Sequence, residues 1–272
     1  MTSIDEDYVL GHDDTELARL EHQAGILAPA TEAILRMAGL APGMRVLDLG
    51  TGLGDVAFAA AAGIVGPSGE VVGIDQNMSV VARARSRAEE RGLDNVGFEV
   101  GDVGTWHDGS RFDAVVGRLI LLYCPDQPAV IRHHAASLAP GGVYVAMEYD
   151  MPACRNEPPT PFAESARGWF LEAFRRGGMD PALGLRLDAL LRAAGLSTPA
   201  VAGMTRAVRG ETDGSRMLAG IVTTMLPLIV RTGVADEAEI DVDTLGERLA
   251  AEMVGSLVVP PTLVGAWAVT PR

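Results

Sequence analysis

The sequence predicts an α/β protein with a mostly parallel sheet, and three observations support this prediction. Short apolar runs alternate with helical patterns between Arg45 and about Tyr149, as in a sheet that is covered by helices on both faces. Each of the first three runs ends within two residues of an aspartate, and a turn with three glycines joins the first run to an alanine-rich helix. Because ligands of such sheets bind at the carboxyl ends of the strands, these observations also predict where a functional site lies.

The strands of this sheet are inferred from apolar runs that stop at glycine or aspartate. The first begins near Val46, and the next four are expected over Glu70–Asp75, Val96–Val100, Arg111–Gly117 and Gly141–Met147. Upstream, positions 14–39 repeat apolar residues at helical spacing, with an interruption near Pro29 and an end at Gly39. We therefore expect residues 1–40 to form a helical lid and residues 41–150 to form the ligand-binding core.

The composition changes after Asp150, where a proline-rich loop precedes further helices and strands. The helices are expected over Phe162–Arg176 and Arg186–Ala194, and the strands over Ser197–Val208 and Thr262–Thr270. The insert between the two strands is far longer than a hairpin loop, and it carries helical patterns over Asp213–Arg231 and Thr244–Ser256. Thr244-x-x-Glu247 matches a capping box. Residues 151–272 should thus complete the core with strands near 197–208 and 262–270, and add helical substrate-cap segments near 160–195 and 213–256.

Composition and charge limit the classes of function. The chain has 272 residues, with 36 acidic against 22 basic side chains and a net charge of -14. A nucleic-acid groove needs clustered Lys and Arg, so we expect no nucleic-acid partner. The densest basic run, Arg83-Ala-Arg85-Ser-Arg87, is interpreted as a solvated helix face.

The sequence also favours a cytoplasmic location. Cys124 and Cys154 match no metal spacing and are typical of a reducing compartment. The acidic N-terminus lacks the apolar run of a signal peptide. The most apolar stretch, Met217–Val230, is interrupted by Gly, Thr and Pro and is shorter than a membrane span of about 18 residues. We expect a buried helix there and no membrane span.

The glycine turn lies in the run Val46–Asp55. Gly50, Gly52 and Gly54 stand at every second position, and glycine lets a backbone turn tightly and approach a ligand closely. The dinucleotide fingerprint needs a small residue where this chain has Asp55, and an acid there would repel a pyrophosphate. The turn therefore predicts a small-molecule ligand other than a dinucleotide.

Three aspartates close the first three strands. Asp48 precedes the glycine turn, Asp75 can accept hydrogen bonds from both hydroxyls of a ribose, and Asp102 can accept one from the exocyclic amine of an adenine. Two of them also have simpler interpretations, since Asp48 could cap the strand end and Asp102 could open a turn with Gly101. Together the acids favour a ligand that lacks phosphate and carries positive charge.

These residues resemble the motifs of the class I S-adenosylmethionine-dependent methyltransferases, of the small-molecule type related to the ubiquinone-biosynthesis methyltransferases. The matching segments, in order over about the first 150 residues, are Val46–Gly54, Val71–Asp75, Gly101-Asp102, Phe112–Val116 and Leu138–Gly142. The lead-in Tyr8–Gly11 with Glu16–Leu20 is also similar to one common in this group. The resemblance implies a Rossmann-like seven-stranded sheet, mostly parallel with an antiparallel last strand, and S-adenosyl-L-methionine as the cofactor.

The resemblance also assigns residues to the cofactor. They are Tyr8, Asp48, Gly50, Thr51, Gly52, Asp75, Gln76, Met78, Gly101, Asp102, Val103 and Arg118. Gln76, Asn77 and Met78 would edge the ribose or the adenine, although any of them could instead cap the helix that begins near Ser79. Arg118 would orient the methionine carboxylate of the cofactor, or would pair with an acid at the surface.

The residues that perform the chemistry are less evident. No metal is expected, because the similar catechol methyltransferases carry a metal-binding aspartate at the end of the fourth strand, where this chain has Gly117-Arg118. His133-His134 falls inside a helix and is expected to point away from the site. No catalytic base is assigned, and the candidates are His12, His107, Glu148 and Asp150.

The acceptor is inferred from the C-terminal half. Its methionines could line an adaptable apolar pocket, although core packing is the commoner use of Met. The leading hypothesis is methyl transfer to oxygen or carbon of a small, largely apolar metabolite of the natural-product, quinone or terpenoid type. One alternative is a protein of this fold that binds the cofactor but catalyses cyclisation or hydroxylation in a biosynthetic pathway, and another is a regulatory protein with a vestigial pocket. The apolar insert is also compatible with a homodimer.

Overall fold

The computed structural model of the protein describes residues 27–270. These residues form two compact units. The core unit consists of residues 27–149, 183–203 and 263–270, and the second unit consists of residues 150–182 and 204–262. Each unit is therefore assembled from separate stretches of the chain.

The core unit contains a seven-stranded sheet with the order β3-β2-β1-β4-β5-β10-β7. The strands are β1 (Arg45–Leu49), β2 (Glu70–Asp75), β3 (Val96–Val100), β4 (Phe112–Arg118), β5 (Leu138–Asp150), β7 (Ala200–Met204) and β10 (Thr262–Val269). The pairs β1/β2, β1/β4, β2/β3 and β4/β5 are all parallel. The sheet is mixed and mostly parallel, which confirms the predicted Rossmann-like α/β class.

Helices separate the strands of the core unit and explain why the strands are continuously apolar. They are α1 (27–37), α2 (Asp55–Ala60), α3 (Met78–Glu90), α4 (Gln127–Ala135) and α6 (Leu187–Ala193). A π-helical turn over Ala61–Val65 extends α2. Val46, Leu47 and Leu49 of β1 have no exposed surface, as expected of a strand that is shielded on both faces.

The observed strand bounds agree with the sequence prediction early in the chain and differ from it later. β2 and β3 have the predicted bounds. β5 is longer than predicted, because Leu138 already pairs with Phe112 before the register shifts. The strand predicted over Ser197–Val208 is too long, since β7 ends at Met204. Val208–Arg209 instead forms a separate strand in the second unit.

The second unit combines a small antiparallel sheet with helices. The sheet has the order β6-β9-β8, with β6 (Arg155–Glu157), β8 (Val208–Arg209) and β9 (Leu257–Val259). The helices are α5 (Pro161–Arg176), α7 (Ser215–Arg231), α8 (Glu237–Ile240) and α9 (Val242–Glu252). The carboxylate of Glu252 accepts hydrogen bonds from the backbone N–H groups of Phe162 and Ala163, at 3.0 and 3.3 Å. A carboxylate at a helix N-terminus is favourable, and this one joins the two stretches of the unit.

The start of α9 contradicts the capping box predicted at Thr244. The helix begins at Val242 and follows Asp241, so Thr244 is its third residue. Asp241 has a left-handed φ of 47°, and its carbonyl accepts hydrogen bonds from the N–H groups of Thr244 and Leu245. The hydroxyl of Thr244 donates to the Asp241 carboxylate at 2.5 Å. The prediction is wrong because an earlier acidic residue makes the turn from which the helix starts.

One helical stretch among residues 27–270, Gly210–Arg231, is long and apolar enough to cross a membrane by length and composition alone. Its apolar residues face the protein: Leu218, Val222, Met225, Leu228 and Ile229 are buried, and α7 packs against α5 and α9. The opposite face exposes Arg216, Gly220, Thr223 and Pro227 as well as Val230. This pattern is that of an amphipathic helix in a protein core.

Candidate functional site

The glycine turn after β1 adopts a backbone conformation that favours glycine. Gly50 and Gly52 have φ values of 61° and 55°. A Cβ atom at Gly50 would lie 2.5 Å from the side chain of Ile120, whereas a Cβ atom at Gly52 would meet no atom within 4 Å. The turn therefore packs against the protein at Gly50 and is open at Gly52, where a ligand can approach the backbone.

Asp75 lies directly beside this turn. Its Oδ2 accepts a hydrogen bond from the N–H of Gly52 at 3.1 Å, and its Oδ1 accepts one from the N–H of Asn77 at 3.0 Å. The residue is half-buried at the end of β2. The structure thus brings together two residues that the sequence assigned to one ligand.

Asp48 is the buried acid of the site. The hydroxyl of Thr51 donates to its Oδ2 at 2.6 Å, while its Oδ1 is buried and has no hydrogen-bond partner among the described residues. Burial raises the pKa of Asp48 to about 7, against the opposing effects of Thr51 and Arg118. Through Thr51, this buried carboxyl group fixes the start of the glycine turn.

Arg118 ends β4 on the same edge of the sheet. Its Nη1 donates to the hydroxyl of Thr31 at 2.8 Å. Burial lowers its pKa, against the effects of the Asp55 and Asp48 carboxylates. Leu119 follows with a left-handed φ of 57°, and its N–H donates to the carbonyl of Met147 at 2.8 Å. Such strain in a non-glycine residue is often found at functional sites.

Asp55 and Arg87 form a brace that the sequence analysis missed. Nη2 of Arg87 donates to Asp55 Oδ1 at 2.9 Å, and Nη1 donates to the carbonyl of Leu53 in the glycine turn. Arg87 is 5% exposed. The interpretation of the basic run as a solvated face is therefore wrong for Arg87, because the glycine turn packs on this part of α3. The only signal in the sequence was the acid at position 55.

The loop after β3 carries the third strand-end acid. Asp102 is exposed, and its Oδ1 accepts a hydrogen bond from the N–H of Gly104 at 2.7 Å. Asp102 thus does open a turn, as its simpler interpretation proposed. The N–H of Gly101 donates to the carbonyl of Asp75 at 2.9 Å, and a side chain at Gly101 would collide with Trp106. The second and third strand-end acids therefore lie on neighbouring, hydrogen-bonded strand ends.

The residues after Asp75 divide between two roles. Asn77 caps α3, because its Oδ1 accepts hydrogen bonds from the N–H groups of Ser79 and Val80 at 3.0 and 3.3 Å. Gln76 is exposed, and Met78 is 73% exposed. The helix-capping interpretation thus holds for Asn77, whereas Met78 is a large apolar side chain that the protein leaves uncovered.

Glu148 serves the loop after β4. The residue is 2% exposed, and its Oε1 accepts a hydrogen bond from the N–H of Leu121 at 2.7 Å. Burial raises its pKa to about 8, and hydrogen bonds from the N–H groups of Leu121, Leu122 and Ile120 oppose that rise. This carboxyl group therefore anchors the loop that places Ile120 against Gly50.

The remaining sequence candidates have varied placements. His133 and His134 bond to the carbonyls of Trp106 and Val103, because the last turn of α4 packs against the loop after β3. His107 is exposed. Asp150 belongs to the second unit and has a buried, unpartnered Oδ1. The other two, Tyr8 and His12, lie outside the described residues.

No group of three or more His, Cys, Asp or Glu residues between 27 and 270 is placed to hold a metal ion. The expected absence of a metal thus stays a prediction.

Comparison with known proteins identifies the core. A family model described as a methyltransferase domain matches residues 40–169. Nocamycin O-methyltransferase from Saccharothrix syringae is 37% identical over 115 residues, which cover 42% of this chain and 41% of that protein. The ubiquinone/menaquinone biosynthesis C-methyltransferase UbiE from Shewanella oneidensis is 32% identical over 120 residues, which cover 43% of this chain and 47% of that protein. The chain thus matches less than half the length of these curated relatives.

The solved structures agree with this at the level of the fold. Phosphoethanolamine N-methyltransferase 2 from Haemonchus contortus, in complex with S-adenosyl-L-methionine, superposes with a TM-score of 0.56 and 19% identity. The superposition covers 90% of this chain and 53% of that chain. The glycine turn and the three strand-end acids lie within the matched region of the family model. Residues 40–169 therefore form a methyltransferase domain of the class I S-adenosylmethionine-dependent type.

Proposed function

We propose that the protein is an enzyme that transfers the methyl group of S-adenosyl-L-methionine to oxygen or carbon of a small, largely apolar metabolite of the natural-product, quinone or terpenoid type. The observation that carries the proposal is the contact between the open glycine turn and the strand-end acids. The N–H of Gly52 donates to Asp75, and the buried carboxyl of Asp48 lies at the start of the same turn. The relatives from Saccharothrix syringae and Shewanella oneidensis are an O-methyltransferase and a C-methyltransferase, which supports the choice of acceptor atoms.

The residues of the core unit fit this cofactor chemically. Each carboxylate oxygen of Asp75 accepts one backbone hydrogen bond and has a further lone pair for a ribose hydroxyl. Gly52 leaves room beside the backbone. Arg118 supplies a guanidinium that can bind a carboxylate through two parallel hydrogen bonds. Exposed Met78 can cover the face of an apolar ring.

The bound cofactor would supply a methyl group on a positively charged sulfonium, which is already a good leaving group. The protein's contribution is then to hold the acceptor in line and exclude water, and positioning of this kind is worth up to about 7–11 kcal/mol. The loop anchored by Glu148 places Ile120 against the glycine turn and gives this edge an apolar wall.

The first test is calorimetric titration of the purified protein with S-adenosyl-L-methionine and, separately, with NADH. Micromolar binding of the former alone supports the proposal. Asp75→Ala should weaken that binding by roughly 10- to 100-fold, the effect of losing hydrogen bonds to a charged group. Asp94→Ala, which removes an exposed acid from another loop, is the matched control and should bind normally. Preference for NADH, or no binding of either ligand, would overturn the proposal.

The second test separates methyl transfer from the alternative chemistry. The protein is incubated with methyl-labelled cofactor and a panel of phenols, quinols and polyketide-like acceptors. In methyl transfer the carbon–sulfur bond breaks with its electron pair left on sulfur, the acceptor gains the methyl and loses a proton, and S-adenosylhomocysteine forms in equal amount. Conversion of an acceptor without label and without S-adenosylhomocysteine would instead support cyclisation or hydroxylation.

A further inference from the structure

The loop after β3 is organised around Asp102. The carbonyl of Asp102 accepts hydrogen bonds from the N–H groups of Thr105 and Trp106 at 3.1 and 2.8 Å. Its Oδ1 accepts one from the N–H of Gly104 at 2.7 Å. The turn therefore uses one carboxylate oxygen, and the position of the second oxygen, Oδ2, is set by the position of the whole turn.

Two imidazoles from α4 hold this turn from the other side. Nε2 of His134 lies 2.6 Å from the carbonyl oxygen of Val103, and Nε2 of His133 lies 2.9 Å from that of Trp106. Because a carbonyl oxygen can only accept, each Nε2 carries a hydrogen and donates it. His134 is 1% exposed, and the two rings meet edge to face with their centroids 4.7 Å apart. Two bonds to two residues of one turn fix both its position and its rotation.

The packing of the Trp106 ring also holds the turn in place. The indole of Trp106 lies against Gly101, where a Cβ atom would collide with it, and its Nε1 donates to Glu99 at 3.2 Å. Trp106 is thus held by its carbonyl and its ring at once. Such rigidity is more than an exposed loop needs, and it is what a binding group must have to discriminate between similar ligands.

We infer that His133 and His134 are positioning residues for adenine recognition. By fixing the turn, they hold Oδ2 of Asp102 where it accepts a hydrogen bond from the exocyclic amine of the cofactor's adenine. This inference rests on the proposed function, since it requires a ligand that carries adenine. Neither histidine contacts the ligand, and no proton is transferred.

The test measures discrimination rather than affinity alone. The full chain is titrated calorimetrically with S-adenosylhomocysteine and with S-inosylhomocysteine, which carries an oxygen in place of the exocyclic amine. The unaltered protein should prefer the adenine ligand by roughly 10- to 100-fold, the range for one hydrogen bond to a charged group. His134→Leu removes the donor and keeps an apolar side chain, whereas His134→Gln retains a donor at similar reach. His107→Leu, at an exposed histidine next to Trp106, is the matched control.

We expect His134→Leu to lose most of this preference, His134→Gln to retain more of it, and His107→Leu to retain all of it. If His134→Leu does not fold, as judged by circular dichroism, the half-buried His133→Leu takes its place with the same expectation. A variant that binds both ligands more weakly but keeps the full preference would overturn the inference, because a merely structural role has that effect.

Two results with the unaltered protein separate this inference from the proposed function. Binding of both ligands with equal affinity would overturn the inference and leave the proposed cofactor standing. Failure to bind S-adenosylhomocysteine and S-adenosylmethionine would overturn the proposed function and the inference with it.

Discussion

Replacing Glu148 by Gln removes the charge of a buried carboxyl group and keeps its size. Glu148 is 2% exposed, and burial raises its pKa from 4.5 to about 8. Below pH 4.5 the group is protonated in both the folded and the unfolded protein. Between pH 4.5 and 8 the unfolded chain ionises while the folded protein keeps the proton. The group therefore stabilises the fold at low pH, and this stabilisation is lost as the pH rises to about 8.

The magnitude follows from the same two values. A pH interval from 4.5 to about 8, at about 1.4 kcal/mol per pH unit, corresponds to a loss of about 5 kcal/mol of unfolding free energy. The Gln variant has no such loss. Asp48, whose pKa burial raises to about 7, contributes a fall of the same sign, but it does so in both proteins and cancels in the comparison.

The assay is urea unfolding of both proteins at pH 5, 6, 7, 8 and 9. We expect the unfolding free energy of Glu148→Gln to rise relative to the unaltered protein by several kcal/mol between pH 5 and pH 9, within the limit of about 5 kcal/mol. Glu89→Gln makes the same chemical change at an exposed site on α3 and should show no such trend. A difference between Glu148→Gln and the unaltered protein that stays constant across this range would refute the reasoning, because the buried carboxyl would then be ionised throughout.

Three further results are expected. Gly52→Val should abolish cofactor binding in calorimetry, since its Cβ atom enters the open side of the turn and Val disfavours the φ of 55° found there. Circular dichroism checks that the core stays folded. Normal binding would show that this is not the binding turn. Arg87→Met should lower the free energy of unfolding in urea by about 2–3 kcal/mol, less than for a fully buried pair because the Asp55 side chain is 21% exposed. The control Arg83→Met, at an exposed ion pair, should lower it by under about 1 kcal/mol. Equal losses would contradict the brace between Arg87 and Asp55. Burial lowers the pKa of His134 to about 4, so stability contributed by the neutral ring is lost as the pH falls from 6.5 to 4. In thermal unfolding, His134→Gln should therefore lose less stability over that pH range than the unaltered protein. Parallel profiles of stability against pH for the two proteins would contradict this expectation.

Most of the core could be predicted from the sequence because glycine and aspartate residues mark where its strands end. β2 and β3 match their predicted bounds, since each is an apolar run that stops at or before a glycine or an aspartate. The strand predicted over Ser197–Val208 failed for a different reason. Alternation of side chains indicates extended backbone, but it does not show which sheet the backbone joins, and Val208–Arg209 pairs with β9.

The parts of the site that could be predicted are those that depend on the position of a residue at a strand end. Gly52 and Asp75 are assigned to one ligand by their places at strand ends, and the structure links them directly. The role of Arg87 was not predictable, because its partners Leu53 and Asp55 stand more than thirty residues upstream. In a run of three alternating arginines, nothing local shows which one the glycine turn will cover.

The same limit applies to the histidine pair and to the capping box. The expectation that His133 and His134 point away from the site stays a prediction, but it considered only their helix and did not reveal their acceptors on the preceding loop. Thr244 fitted a capping box by spacing, yet Asp241 makes the turn that starts the helix. Patterns within a few residues do not reveal a competing partner that tertiary structure brings close.

The place of β10 in the sheet has a consequence for how the chain folds. β10 lies between β5 and β7, although β5 ends at Asp150 and β7 at Met204. During synthesis both of those strands are complete long before Thr262–Val269 exists. β7 therefore remains unpaired with β10 while more than fifty further residues are added. The edge of β5 that later bonds to β10 is open during the same period. An unpaired strand edge invites pairing with another chain, so the nascent protein is expected to need chaperone protection in this window.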